Sequence, residues 1–400
     1  MIVFKTSQFP TFSETFIVHS IVAAIQSGYD VKILVKSKNS IKNSSQPELI
    51  RKYNLMDKVI SIKSIPSTNF RKVRNLVWDC IKNPLLIFVL LKFSVIKRKM
   101  SYNFFYLIKE YYKVFRAEVF HVHYCEEFTP LNKLKFYGLI NAKIIVSFHG
   151  YDVDLLSKNQ KEFIPILNKY VFKFIANSNY TKGNLINLGL DINKIERIYN
   201  GIDVSKVSFK GRKIDINNIR IISVGRLVEI KGHFYALKSV LSLVRLGYKI
   251  KYTIIGDGKE LNNLQKFIKL YNLENSVEIL GSKTQFQIFE HFESNDLFLF
   301  PSTRDSTGRV ESFGIASIEA QLFGLPVIAF DTGGVSETLI NGKTGFLVID
   351  KNVEKLADKI IQLIIDPEYY SMVSKAAHNY VKSNFNYLTN FRHTENLYKF

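Results

Sequence analysis

Two carboxylates, Glu311 and Glu319, stand eight positions apart in the segment FPSTRDSTGRVESFGIASIEAQLFGLPVIAFDTGGVSETLINGKTGFLV (300–348), with Phe313-Gly314-Ile315-Ala316 between them. Gly314 is expected to open a helix over Ile315 to Phe323, which leaves Glu311 on the preceding loop and Glu319 inside the helix. A helix start behind a glycine suits a phosphate, and flanking carboxylates accept hydrogen bonds from sugar hydroxyls. The same pair equally fits a dipole partner and a helix salt bridge. A second constellation is IISVGRLVEIKGHF, where a strand and the Gly225 turn lead to Arg226 and Lys231, the latter expected at the start of the next helix. Two cations converging on a strand end could hold a diphosphate and stabilise it as a leaving group; they also fit a solvated surface pair.

Three histidines fall near strand ends. His121 and His123 share one side of a strand by its period of two, which suggests metal, but no third ligand follows nearby, so both read as structural or cleft-lining. His149 ends a strand and precedes Gly150, the kind of place where open parallel sheets bind ligands. Asp152-Val153-Asp154 spells D-x-D, which marks a divalent-cation site in some enzymes.

Positioning these groups requires strands that end where they sit. Short β-branched and apolar runs recur along the chain: Ile2–Phe4, Val31–Val35, Val59–Ile62, Val119–His123, Ile144–Phe148 and Phe172–Ala176, then Ile219–Val224, Tyr252–Ile255, Val277–Leu280, Leu297–Phe300 and Pro326–Phe330. Helical stretches separate them, and Gly, Asp or Pro follows most of the later ones. Alternating strand, turn and helix predicts an α/β fold with two doubly wound parallel sheets facing a cleft. The expected division is an N-terminal domain 1–202, a polar linker 203–218, a second domain 219–367 and a helical tail 368–400.

Composition narrows the classes. Of 400 residues, 46% are hydrophobic and 22% charged, which excludes a mostly disordered chain. Cys80 and Cys125 lack metal-ligand spacing, and two cysteines make no disulfide framework. The N-terminus has no signal-peptide pattern, and the longest apolar run, interrupted by Lys92, falls short of the ~20 residues of a membrane span. A reducing cytoplasm fits best, and the chain is expected to be soluble or bound to a membrane only at its surface. The net charge is +20, and residues 1–200 carry 30 basic against 14 acidic residues while 201–400 carry 25 against 21. Such an excess speaks of partners rather than fold.

In the C-terminal half, VGRLVEIKG (224–232), IIGDG (254–258), FLFPS (298–302), ESFGIASIE (311–319), GLPVIAFDTGGVSE (324–337) and NGKTGFLV (341–348) together resemble glycosyltransferase family 4, a group of retaining, nucleotide-sugar-dependent enzymes with the two-Rossmann-domain GT-B fold. HVHY (121–124), SFHGYDVD (147–154), ANS (176–178) and YNGID (199–203) look like the family's marks in the N-terminal half. The resemblance implies that Arg226 and Lys231, with Gly225 and Ser178, contact the donor. Backbone amides around Phe313, Gly314, Ile315 and Ala316 would hold phosphate and sugar. Glu311 would accept from donor-sugar hydroxyls, Glu319 from the ribose, and His149 would face the donor sugar. It implies catalytic roles for His149, Arg226, Lys231 and Glu311. It accounts for Asp152 without metal, so no metal and no cofactor is expected. Ser312 stands where many members have Gly, a change that backbone outside the left-handed region tolerates.

The opening departs from many members, which have a Gly-rich turn after the first strand. Here SQFPTFSETFI (7–17) stands instead, similar to the FPxxSETF opening of the colanic-acid-like, exopolysaccharide and O-antigen branch, with Ser13-Glu14 as a helix start. The implied activity is transfer of a hexosyl or N-acetylhexosaminyl group from a UDP- or GDP-sugar to a hydroxyl of a lipid-linked or growing surface polysaccharide. Rival readings are a nucleotide-sugar epimerase or phosphorylase on the same fold, or a non-catalytic basic membrane- or nucleic-acid-binding protein. Against nucleic acid, the basic block 51–100 has few aromatics and no recognition motif. Within it, LLIFVLLKFSVI followed by Lys97-Arg98-Lys99 fits either a core helix with a solvated end or an interfacial helix on anionic lipid at the cytoplasmic face.

Overall fold

The computed structural model describes residues 1–63, 66–82, 84–97, 101–159 and 161–399. They form two compact units, one of Met1–Ala176, Asn184–Glu196 and Glu395–Phe400, the other of Asn177–Gly183 and Arg197–Thr394.

The first unit is built on seven strands, β1 (Ile2–Phe9), β2 (Val31–Lys38), β3 (Val59–Ser61), β4 (Val119–His123), β5 (Lys143–Phe148), β6 (Lys173–Ala176) and β7 (Ile195–Arg197), in the order β3-β2-β1-β4-β5-β6-β7. Every residue of β4 is buried, because helices cover both faces of a parallel sheet and leave its central strands no solvent side. Val119↔Lys143 and His121↔Ile145 fix the β4–β5 register, which places His123 and His149 at neighbouring strand ends. Lys5 on β1 is 1% exposed; its ammonium donates to the Glu127 carboxylate at 3.1 Å and to the backbone carbonyls of Glu127 and Thr129. That buried pair, completed by Lys36 at 2.6 Å, anchors the turn that follows β4, since an unpaired charge there would be costly.

The second unit has six strands, β8 (Ile219–Val224), β9 (Ile250–Ile255), β10 (Val277–Ile279), β11 (Leu297–Phe300), β12 (Val327–Phe330) and β13 (Gly345–Val348), in the order β10-β9-β8-β11-β12-β13. The registers described for this sheet are all parallel. All four residues of β11 are buried, each side chain contributing about 1.5–3 kcal/mol by leaving water. Strand order reverses between β8 and β11, which makes their carboxyl ends the switch point where such sheets bind ligands.

Three features differ from the sequence expectation. The short edge strands β7 and β13 lie outside the expected runs: Glu196 and Arg197 occupy two of the three positions in β7, which is covered on less of its surface, while β13 is the four-residue GFLV with three residues buried. Residues 203–218 pack on the second unit. Val204 joins its core, and Arg212 donates to the backbone carbonyls of Phe323 at 2.7 Å and Phe292 at 2.5 Å. The tail folds into helices Pro367–Asn384 and Tyr387–Tyr398, and Tyr398 is buried in the first unit beside His121.

Candidate functional site

In the second unit the loops after β8, β11 and β12 are tied together. Gly232, at φ +64°, closes the β8 loop against β11: a Cβ there would lie 1.8 Å from the Pro301 carbonyl oxygen. Thr303 N–H donates to the Ile230 carbonyl at 2.9 Å, and the Glu229 carboxylate accepts from Ser306 N–H and hydroxyl at 2.9 and 2.7 Å. From the β12 loop, Gly334 N–H donates to the Glu311 carbonyl at 2.9 Å and the Thr332 hydroxyl to the Ser302 carbonyl at 2.7 Å. These ties bring side chains 80 residues apart into contact.

The Lys231 ammonium and the Glu311 carboxylate form an ion pair, each side chain 17% exposed. The Lys231 stem lies along Gly225, where an added Cβ would be 3.5 Å from Cδ, and its ammonium sits 5.4 Å from the centroid of the Phe300 ring. Ser302 donates to the same Glu311 oxygen at 3.4 Å. Lys231 ends a 3-10 turn, Glu229–Lys231, two residues before the helix His233–Arg245, and not at the helix start as expected. Arg226 is exposed and in no ion pair among the described residues.

The helix after Gly314 is Ile315–Leu322. The N–H groups of Ile315 and Ala316 have no acceptor inside the helix, and no side chain caps them. Gly314 is at φ +122°, and a Cβ would meet Phe300 Cε1 at 2.8 Å, so Phe300 supports both this turn and Lys231. The Phe313 ring is buried and stacks on Tyr199 at 5.3 Å, leaving backbone as what Phe313 offers a ligand. Ser312 is not left-handed, and its hydroxyl accepts from Asn177 at 3.3 Å. Glu319 is buried, and its Oε1 accepts from Gln285 Nε2 at 2.8 Å. Ser178 accepts from Thr181 N–H at 2.9 Å, a capping contact. Glu337, at the end of the GLPVIAFDTGGVSE motif, accepts from the N–H groups of Asn179 and Tyr180 at 2.7 and 2.9 Å and from Tyr199 at 3.0 Å, which holds 177–183 on this unit.

The first unit has its own switch point, between β1 and β4. His121, His123 and His149 stack in a row with ring centroids 4.6 and 5.3 Å apart. His121 bonds Tyr398 at 2.6 Å and Ser147 at 2.7 Å, and His123 meets His149 at 3.1 Å. Burial pushes His121 and His149 down to about 3 and His123 well below its ordinary value, so all three rings are neutral at pH 7. Asp152 is buried and accepts from the N–H groups of His149, Gly150 and Cys125 at 2.9, 3.1 and 3.3 Å; it shapes the turn that presents His149. The unusual opening places Glu14 at the head of helix Thr15–Gln26, where its carboxylate accepts from Thr11 at 2.8 Å and from Tyr124 at 2.9 Å. Tyr124 in turn lies 5.0 Å from the His149 ring and Phe16 4.4 Å from it.

The sequence assigns no role to Gln285, Ser302 or Tyr124, and to Glu14 only that of a helix start. Ser302, Tyr124 and Glu14 fall inside the motifs FLFPS, HVHY and SQFPTFSETFI, which are the signal for them; Gln285 meets Glu319 across 34 residues and carries no local signal.

Residues 205–380 match the model for glycosyl transferases group 1, and residues 86–206 that for glycosyltransferase family 4. The chain is 28% identical over 388 residues to the putative colanic acid biosynthesis glycosyltransferase WcaL of Escherichia coli K12, covering 95% of this chain and 94% of the relative. It is 28% identical over 394 residues to the amylovoran biosynthesis glycosyltransferase AmsK of Erwinia amylovora, covering 96% and 95%. Among solved structures, Anabaena HepE in complex with UDP and glucose superposes with a TM-score of 0.74 at 18% identity, over 99% of this chain and 98% of that one. The two parallel sheets are thus those of the GT-B fold. Consecutive family models run from residue 86 to 380 and the similarity to WcaL and AmsK extends over nearly their whole length, so the motif order read along these strands has one explanation: the chain belongs to the family 4, group 1 glycosyltransferases.

Proposed function

We propose that the protein transfers a hexosyl or N-acetylhexosaminyl group from a UDP- or GDP-sugar, with retention at the anomeric carbon, to a hydroxyl of a lipid-linked or growing surface polysaccharide. The observation that carries this reading is the Lys231–Glu311 pair at the β8–β11 switch point beside the uncapped helix Ile315–Leu322. A diphosphate needs cations and N–H donors; a sugar needs a carboxylate acceptor, and both kinds of group meet there. Neighbours of the same fold bind UDP and UDP-glucose, and WcaL, AmsK and the Staphylococcus aureus capsular enzyme CapM are assigned to polysaccharide biosynthesis.

Arg226 and Lys231 hold the diphosphate and stabilise it as it leaves, with the backbone of Phe313–Ala316 and Gly225 around it. Glu311 accepts from donor-sugar hydroxyls, Glu319 from the ribose, and Ser178 shapes the segment beside them. The acceptor hydroxyl attacks from the face the diphosphate leaves; the bond from the anomeric carbon to phosphate oxygen breaks, that to the acceptor oxygen forms, and the departing phosphate oxygen takes the proton. Orientation and leaving-group neutralisation supply the rate. The neutral His149 ring gives the sugar a hydrogen-bonding partner without charge. Cationic side chains and a helix start suffice without a divalent cation, and the commitment of Asp152 to three N–H groups supports this; loss of activity on chelation with recovery on manganese would defeat it. The enzyme works at the cytoplasmic face of a membrane, where the positive N-terminal half meets an anionic acceptor.

A thermal-shift panel of UDP, GDP and their sugar conjugates identifies the donor, since a ligand of the native state raises the midpoint by mass action. Anomeric analysis of the product then reads the stereochemistry. Epimerised or phosphorolysed donor in the absence of acceptor would overturn the transfer reading.

A further inference from the structure

The helix Asn69–Lys82 leaves one side uncovered among the described residues of the first unit. Phe70, Val73, Val77, Trp78 and Ile81 are 75%, 37%, 52%, 58% and 65% exposed. At 100° per residue they fall on a single strip about 140° wide. The opposite side is the one that packs inward: Leu76 and Cys80 lie against the core of the unit, and Asp79, the helix's one acidic residue, is ion-paired with Lys109. Arg74 stands within the apolar strip, Arg71 and Lys82 stand along its edge, and the Lys82 ammonium lies 5.0 Å from the Trp78 ring centroid. With its acid neutralised on the inner side, this exposed face combines aromatic and aliphatic groups with uncompensated cations.

We propose that helix Asn69–Lys82 is a docking element that lies in the surface of an anionic phospholipid bilayer, with Phe70, Val77, Trp78 and Ile81 in the acyl boundary and Arg71, Arg74 and Lys82 on lipid phosphates. The composition suits that plane: low overall hydrophobicity, a concentrated apolar side, and long basic side chains that reach back to headgroups. Charge complementarity excludes a second copy as the natural occupant, because a two-fold contact would bring the same cations together. No helix among the described residues is long and apolar enough to cross a membrane, so contact through this helix is interfacial.

The 82–99 segment, expected as either a core or an interfacial helix, follows directly on this element. Of the 82–99 segment, residues 83, 98 and 99 lie outside the described residues, and so does Met100. The described helix Leu85–Lys97 turns Leu86, Leu90 and Ser94 into the unit and leaves Ile87, Phe88 and Leu91 exposed, while its predecessor bears the wider apolar strip with cations beside it. The proposal deepens the membrane part of the proposed function and does not rest on glycosyl transfer.

Trp78 is the single tryptophan of the chain and reports on its own surroundings. Phosphatidylcholine vesicles containing phosphatidylglycerol are expected to float the full-length protein and shift Trp78 emission to the blue, with binding weakened as salt is raised. Phe70→Ser with Ile81→Ser is expected to weaken binding about tenfold or more, and Arg71→Gln with Arg74→Gln about 30-fold, near 1 kcal/mol per cation. Circular dichroism and the thermal shift with UDP or GDP serve as controls for folding and the donor site. Absence of flotation and blue shift, equal binding to pure phosphatidylcholine, or unchanged binding of the Phe70/Ile81 variant overturns the proposal. So does a blue shift that grows with protein concentration without lipid, the signature of self-association, or one produced by an acidic amphipathic peptide while vesicles give none. Failure on vesicles with an intact nucleotide shift removes the docking element alone; loss of the nucleotide shift removes the donor reading alone.

Discussion

Replacing Glu311 and Lys231 separately distinguishes two roles that their ion pair conceals. In the ligand-free protein the ammonium is already neutralised by the carboxylate, both groups being largely buried. At about 3 Å and an effective dielectric near 20 the gross attraction is on the order of 5 kcal/mol, reduced by desolvation to roughly 1–2 kcal/mol net for a partly buried pair. An arriving diphosphate competes with Glu311 for Lys231. Lys231→Ala removes a charge-assisted contact of roughly 1.5–3 kcal/mol, so nucleoside diphosphate affinity falls about 10- to 100-fold and kcat/KM falls ~10²-fold or more. Glu311→Ala releases Lys231, so the nucleoside diphosphate binds as tightly or up to about tenfold tighter, while turnover of the sugar nucleotide still drops because hydroxyl contacts are lost. Titration calorimetry with the nucleoside diphosphate and initial rates with the sugar donor read the two effects. The double variant gives their coupling. If Glu311→Ala weakened the bare nucleotide as much as Lys231→Ala, Glu311 would be holding Lys231 in place rather than serving the sugar, and the assignment would fall.

Gln285→Ala is expected to release one oxygen of Glu319 and weaken nucleotide binding several-fold, less than Glu319→Ala; a larger effect of Gln285→Ala in calorimetry would reverse their order. Gly314→Ala forces a Cβ to 2.8 Å from Phe300 at φ +122° and should cost about 1–3 kcal/mol in urea unfolding along with most activity; near wild-type values in both would show that the turn yields. Stability should rise with pH between about 4 and 6.5, because the three histidines are neutral when folded and take up protons on unfolding below 6.5. His233, buried and lowered to about 4, adds a fourth proton, and Asp152, raised by burial to about 7, opposes with one, which leaves a net slope on the order of 4 kcal/mol per pH unit. His121→Gln should flatten that slope by about 1.4 kcal/mol per pH unit in urea titrations at stepped pH; an unchanged slope would mean that His121 is not neutral in the native state.

Much of this protein is legible along the chain. β4, β8 and β11 fall where their apolar runs begin and end, and the helix after Gly314 starts at Ile315, because a strand covered on both faces must be continuously apolar and a turn must break it. The motif residues Lys231, Glu311 and Glu319 follow from the same order of strand, loop and helix. What the chain alone left open are relations across distance. The contact of Lys231 with Glu311, the hold of Gln285 on Glu319 and the capping of 177–183 by Glu337 join segments with no local signal for one another. Two neighbouring helices illustrate the limit: hydropathy singles out the apolar run at Leu85–Leu91, yet packing buries Leu86 and Leu90 there and leaves the strip of Asn69–Lys82 bare. Periodicity says that a helix has an apolar side. Only the neighbours folded against it decide whether that side is covered, since burial is a property of the assembled chain and not of the segment.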